Sequence, residues 1–568
     1  MNALKHHISL RILAIAFALT IGCAAGAEEA SVSAGTPAAE PDSMSLVIVS
    51  PKGFKRPKAA KPIKYNGERY RVDTLSANRH LVYPPVSPDS LDVMSYRHKS
   101  FWRAGATVVG FNLGLSAFNR YIKKGHYAYI SWHTIKENFK HGFVFDDDNL
   151  ITNMFAHPYH GNLYFNAARS NGFNFWQSEL FAIGGSLMWE LFMENEYPST
   201  NDVIATPVGG AAMGEVLYRT SDLLIDDRAA GWERFGREAA VFILSPMRGF
   251  TRIVTGRAWA HRATRGRRFG LPPISVELGL GMRMLSMHDY RGTTKVGGAM
   301  QIHLQYGNKY AETSMMPYDY FSLFMELNGM DTQPLVSRVE IIGRLLSRTL
   351  VDNPRCQLSL GLYQHFDYFD SDTITRKTSR NPADPCAIPY KLGTPASVGV
   401  GAMVRYLPVK GTRIEGFMHF NGVALAGVLT DFYRDYHRDY NYGSGFSVKT
   451  GLSLSVDRQR LNFSVANQYY WLYTRNGPNS YKNMADHPAG QPTGLEGDNG
   501  HARFNHFEAT TSYRLFSRFY LTLGFDFYKR ITNYGDMEFR DKPLGFNNRA
   551  FKIKSTQYGM HAMLTYKF

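Results

Sequence analysis

From Pro273 to the C-terminus, apolar residues recur at every second position in short segments, the pattern of strands with one apolar and one small or polar face. In "ISVELGLGMRML", Ile274, Val276, Leu278, Leu280, Met282 and Met284 fall on one face, and Ser275, Glu277, Gly279, Gly281 and Arg283 on the other. "FSVKTGLSLSVD" repeats the pattern, with Phe446, Val448, Leu452, Leu454 and Val456 opposing Ser447, Lys449, Gly451, Ser453 and Ser455. A β-sandwich would alternate in the same way, so the connections decide between the two. A bacterial barrel alternates short periplasmic turns with long outer loops. Here 371–392, 426–440, 475–500 and 532–552 are long, whereas "LPVKG", "VDRQR" and "LFSRF" between them are short. The pattern predicts a transmembrane antiparallel β-barrel of about twelve strands over 273–568. Its last segment, "QYGMHAMLTYKF", puts Tyr558, Met560, Ala562, Leu564, Tyr566 and Phe568 on one face. That resembles the closing-strand signal read by the barrel-assembly machinery, which is the expected partner of the Phe568 strand.

Between 96 and 272 helical spacing replaces the alternation. "FWRAGATVVGFNLGLSAFNRYIKK" reads as a helix interrupted by Arg103, Asn112 and Asn119, and "FNFWQSELFAIGGSLMWELFMEN" as another carrying Glu190 and Glu194 one turn apart. Neither offers an uninterrupted apolar span of about 18 residues. The expectation is a preceding α-helical domain packed on itself, under the barrel or inside the lumen as a plug.

The N-terminus carries Lys5 and Arg11 around a short apolar run that ends in Ala25-Gly26-Ala27, a secretory signal peptide over 1–27. Cys23 leaves lipidation open as an alternative. Residues 28–95, rich in Ala, Pro, Ser and Lys, read as a mostly disordered periplasmic linker. An aromatic content of 14%, carried by 34 Tyr and 37 Phe, suits the girdles of a membrane barrel better than a soluble enzyme. The formal charge of +16 points to anionic outer-membrane lipids, not to nucleic acid, which an exported chain rarely meets. After signal removal Cys356 and Cys386 allow one disulfide. The expected location is the outer membrane of a Gram-negative bacterium.

Candidate chemistry concentrates in the helical region. "HPYHGNLYFNAARSNGFNFWQSELFAIGGSLMWELFMENEYPSTNDVIATPVGGAAMGEVLYR" resembles the signature of domain of unknown function 3943, a bacterial family whose likeness implies an exported, envelope-associated protein without an assigned activity. A fainter likeness to VanZ-like proteins involves Glu190 or Glu194, then Ser199 and Asp202, then Gly209, Gly210 and Gly214. On the residues themselves, Ser199 to Asp202 has the spacing of a capping box, and Thr206-Pro207 reads as an N-cap with proline at the first helical position. The glycines form a flat face for close helix approach.

The remaining charged groups are His157, His160, Arg169, Glu190, Glu194, Asp202 and Glu215. Three uses stay open for them. His157, His160, Glu190 and Glu194 could converge on a metal, although Pro158 disfavours a helix around His157. A histidine and a glutamate, with Ser170 or Ser186 as nucleophile, could act on envelope lipid as an acyl hydrolase or transferase. Alternatively, Arg169 and the glutamates form buried ion pairs that hold the helices together. No cofactor motif is present, so none is expected. The leading function is a non-enzymatic envelope role, as a plugged pore or in envelope maintenance, with the lipid-modifying enzyme as the alternative.

Overall fold

The computed structural model describes residues 63–65, 68–70 and 99–568, apart from 147, 263, 271, 288–293, 311–315, 373–387, 432–438, 476–499 and 535–550. The segment read as a signal peptide, Cys23, Cys386 and most of the segment read as a linker lie outside the described residues. Within the linker, Ile63–Tyr65 (β1) and Glu68–Tyr70 (β2) pair as a short hairpin.

Period-two alternation yields twelve long strands. They are β3 (Ile274–Met287), β4 (Thr294–Tyr306), β5 (Phe321–Gly329), β6 (Val336–Asp352), β7 (Cys356–Asp370) and β8 (Lys391–Tyr406), followed by β9 (Arg413–Leu429), β10 (Tyr440–Val456), β11 (Leu461–Thr474), β12 (Gly500–Phe516), β13 (Phe519–Tyr534) and β14 (Phe551–Lys567). All pair antiparallel with their sequence neighbours, and β14 closes on β3 to make a barrel, with Leu564 opposite Leu280. The backbone N–H of Phe568 donates to the Val276 carbonyl at 2.9 Å, which seats the terminal residue in the seam.

Cross-barrel contacts identify the inward face. Arg338 on β6 reaches Glu508 on β12 at 2.7 Å, and Gln468 on β11 donates to Glu340 on β6 at 2.9 Å. Arg283 pairs with Glu326, and Lys449 with Asp367. Toward the end with the long connections, Phe369, Tyr390, Phe504 and Tyr528 stack in a buried aromatic layer. At the opposite end the 307–320 connection is the exception among the short turns: Lys309 reaches Glu415 at 2.9 Å, and Tyr310 donates to the Val404 carbonyl. The described lumen is therefore filled by its own side chains. The other face of the strands points outward, and on β10–β14 and β3 it exposes an apolar belt that includes Leu452, Val465, Leu523, Met560, Leu564 and Met282.

Among the described residues seven α-helices precede the barrel: α1 (Phe101–Ala117), α2 (Trp132–His141), α3 (His157–Ser170), α4 (Phe175–Phe192), α5 (Thr200–Leu224), α6 (Gly231–Leu244) and α7 (Pro246–Val254). The expectation of a domain beneath the barrel or plugging its lumen is corrected here. The helices lie against the outer wall. Phe321, Leu323 and Met325 on β5, Ile341 on β6 and Phe366 and Tyr368 on β7 share the outward face, yet all are buried in one core with Met154, Leu163, Ala211 and Val216 of the helical region. Phe155 packs on Tyr368, and the Gln364 side chain donates to the Val208 carbonyl at 2.7 Å. The docking runs from Gly393 and Gly427, near the long connections, to Tyr306 and Pro317 at the other end. The lumen is closed to helices because ion pairs already occupy it.

Within the domain the central pair is α3 and α5. A Cβ on Gly161 would overlap the Thr206 carbonyl oxygen, and one on Gly210 would lie 2.5 Å from the Gly161 carbonyl carbon, so only glycine permits this approach. The flat small-residue face read from the sequence is a packing device. Two local readings are corrected. Thr206-Pro207 does not start a helix, because α5 runs unbroken from Thr200 with Pro207 inside it. Pro158 does not end one: a π turn over Thr152–Ala156 runs directly into α3, and its widened spacing accommodates the missing N–H.

Candidate functional site

A buried polar region of the domain forms where three segments meet beside the barrel. A parallel bridge between Val144 and Ser199 joins the loop after α2 to the start of α5. This places Asp146 and Asp148 opposite Ser199, Asn201 and Asp202. The π turn presents Asn153 and His157 from the third side.

The cap at Ser199 departs from a full capping box. Its hydroxyl accepts from the Asp202 N–H at 3.4 Å, as the spacing predicts. The reciprocal bond is absent, because the Ser199 N–H goes to Glu190 Oε2 at 2.8 Å. The Asp202 carboxylate is thereby left to face His157, with Oδ2 3.4 Å from Nε2. Asp146 accepts from the Ser199 hydroxyl and the Asn201 amide, each at 2.8 Å, from Asn153 at 2.5 Å and from Tyr442 of β10 at 2.9 Å. The barrel wall thus contributes directly to the cluster.

The electrostatics separate the two acids. Burial drives the Asp202 carboxyl well above its ordinary range, and the neighbouring Asp146 and Glu190 charges reinforce this. Burial would also raise Asp146, but hydrogen bonds from Asp202 and Asn201, and attraction to His157, outweigh it and leave Asp146 lowered. Burial lowers His157, against the pull of Asp146. An imidazole 3.4 Å from a buried carboxyl is an acid–base arrangement, and Asp148, whose side chain is 57% exposed and lies 4.0 Å from His157, connects it to the surface.

The other sequence candidates do not join this group. His160 faces Tyr164 at 2.9 Å and packs on Trp189, and burial pushes its pKa down to about 3. Glu194 accepts from the Trp189 indole at 2.6 Å and is raised well above its usual range by burial and the Glu190 charge. Among the described residues, His157, His160, Glu190 and Glu194 do not gather at metal-binding distance of one another. Arg169 binds Glu215 through Nε and Nη2 at 2.6 and 2.5 Å, and Arg219 adds a third bond to Glu215 at 2.9 Å, making a buried triad. This is the ion-pair role proposed for Arg169, with Glu215 as partner instead of Glu190 or Glu194. Ser186 donates to the Asp202 carbonyl, and Ser170 sits at the far end of α3 from His157, so neither is activated by a histidine. Sequence reasoning missed Asp146, Asp148 and Asn153. Their loop carries no periodic signal, and only the Val144–Ser199 bridge brings it to α5.

Residues 142–247 match the family described as domain of unknown function, DUF3943, which extends on both sides of the signature read from the sequence. The VanZ-like likeness is not among the matches. No curated protein matches the chain. Among solved structures, the NanC porin aligns at 10% identity over 51% of this chain and 99% of its own, with a TM-score of 0.22. A Ralstonia pickettii toluene transporter, TbuX, aligns at 9% identity over 52% and 89%, with a TM-score of 0.20. A Pseudomonas aeruginosa FadL homologue aligns at 8% over 52% and 90%, again with 0.20. At such scores the barrel assignment rests on the chain's own strand pairing.

Proposed function

We propose that this chain is an outer-membrane protein whose barrel anchors a helical domain at the lipid boundary, in a non-enzymatic envelope role, with a lumen that does not conduct freely. The observation that carries this reading is the inverted polarity of the helices. In α1 the buried stripe is Ala104, Val108, Asn112 and Ser116, while Phe101, Trp102, Val109 and Leu113 are exposed. In α4, Ser178, Ser186 and Glu190 are buried alongside Phe175, Ala182 and Trp189, while Trp176, Leu180 and Ile183 face out. A water-facing helix shows the reverse. Asn112 donates to the Gly185 carbonyl at 3.1 Å, so polar bonds between helices replace apolar packing at this seam, as in lipid. Among the described residues no helix is long and apolar enough to cross a membrane. On this reading the helices shelter against the barrel, and the outward belt of β10–β14 and β3 meets lipid directly. Outer-membrane lipids and, for insertion of the Phe568 strand, the barrel-assembly machinery are the partners it calls for.

Brominated-lipid quenching tests it. Five tryptophans, Trp102, Trp132, Trp176, Trp232 and Trp259, are exposed on the helical region. With the protein in vesicles of brominated phospholipid, the emission of Trp102 and Trp176, each kept as the sole helical-domain tryptophan, should be strongly quenched. Quenching by aqueous iodide instead would place the domain in water and sink the proposal. Planar-bilayer recordings should show no stable open channel, and a porin-like conductance would restore the pore reading.

The Asp146–Asp202–His157 cluster favours a second reading, acid–base chemistry on an envelope lipid. Asp202→Asn removes the ionisable carboxyl while preserving shape. If lipid profiles of the producing cells change with this variant while its abundance and heat-modifiable migration do not, the enzyme reading leads.

A further inference from the structure

A second polar cluster, inside the barrel and far from the helical domain, is not used by any reading above. His506 and Glu508 are two residues apart on β12 and face the lumen together. Asp526 is paired opposite Glu508 on β13, and His561 comes from β14. The His561 ring reaches Asp526 across Gly524, where a Cβ would collide with the imidazole. His506 Nε2 lies 3.0 Å from Asp526 Oδ1, and His561 Nδ1 3.5 Å from Asp526 Oδ2. His506, Glu508 and Asp526 offer ligand atoms all within 4.8 Å of one another.

A second observation points to a cation. Asp526 Oδ2 and both ring nitrogens of His561 are buried without a hydrogen-bond partner, and His561 is 4% exposed. Buried polar atoms are normally satisfied. Ligand bonds of about 2.0–2.2 Å to one ion place neighbouring donor atoms roughly 3–4 Å apart; the two distances to Asp526, 3.0 and 3.5 Å, lie in that range, and His561 stands beside the trio that gathers within 4.8 Å.

We infer that His506, Glu508, Asp526 and His561 form a lumenal site for a divalent transition-metal ion, with zinc as the best match to two imidazoles and two carboxylates. Bound there, the ion ties β12, β13 and β14 together beside the seam with β3.

The test uses the full chain, folded in detergent, stripped with chelator, reloaded with zinc alone and passed through a desalting column before elemental analysis. The site predicts one zinc per folded chain, and cobalt in its place should give visible absorption of a low-coordinate centre. His561→Ala and Glu508→Gln should each weaken zinc binding by more than about tenfold, with heat-modifiable migration on gels reporting that the barrel still forms. Asp526→Asn should do the same, and if it prevents folding the other two variants decide. Folded wild-type protein that retains no zinc would overturn the proposal. Zinc bound with undiminished affinity by both His561→Ala and Glu508→Gln would overturn it as well, by placing the metal elsewhere.

Discussion

Arg169 and Glu215, 46 residues apart in sequence, meet through two parallel hydrogen bonds of 2.6 and 2.5 Å between α3 and α5. Both side chains are buried, and Arg219 and the Phe173 carbonyl complete their bonding. Removing Glu215 from this triad leaves two buried guanidiniums unmatched, at a cost of about 3–5 kcal/mol. Glu215→Gln should therefore destabilise the helical domain by that amount, read as a lowered thermal midpoint of the helical circular-dichroism signal in detergent. The barrel's heat-modifiable migration should persist. An unchanged midpoint would show that the triad does not hold the helices.

The α3–α5 contact gives a second expectation. Gly161→Ala puts a methyl group into the Thr206 carbonyl, and overpacking of this kind costs about 1–3 kcal/mol. Gly184→Ala, where nothing lies near the added carbon, is the matched control and should be neutral or slightly stabilising. Equal melting behaviour of the two variants would contradict the assigned helix approach.

Glu190 supplies a pH dependence. Burial, reinforced by the Asp146 and Asp148 charges and partly offset by the Ser199 amide, raises its carboxyl from 4.5 to about 8. Because the folded form holds this proton more tightly than the unfolded form, the stabilising contribution is complete below about pH 4.5 and is lost as pH rises through about 8. Glu190→Gln cannot lose that proton. The variant should show a flatter decline in the helical melting temperature across this window than wild type, and parallel profiles would remove Glu190 from the account.

The barrel was legible because its outward and lumenal faces impose opposite demands on alternate residues, so that Leu280 and Arg283, or Leu452 and Lys449, declare their faces in the sequence. The place of the helices was not legible. Ile341 and Phe366 are apolar whether lipid or a helix covers them, so a covered arc and a bare arc of the wall read alike. The close approach of α3 to α5 was visible in Gly209, Gly210 and Gly214, but its partner Gly161 was not singled out. The capping spacing of Ser199 and Asp202 was correct for the hydroxyl and misleading for the carboxylate, since Glu190, nine residues upstream, took the amide that would have engaged Asp202. Asp146 entered the cluster through tertiary contact alone.

The docking of the helices on the outer wall is the central claim, and the contact between Gln364 and Val208 tests it most directly. With Cys356→Ser and Cys386→Ser as background, Val208→Cys and Gln364→Cys combined in one chain should be joined efficiently by a short thiol-to-thiol cross-linker in native membranes, shifting migration on a non-reducing gel. Failure of this pair to join, together with efficient joining of Val208→Cys to Lys449→Cys on the lumen face, would place the helices inside the barrel and contradict the account.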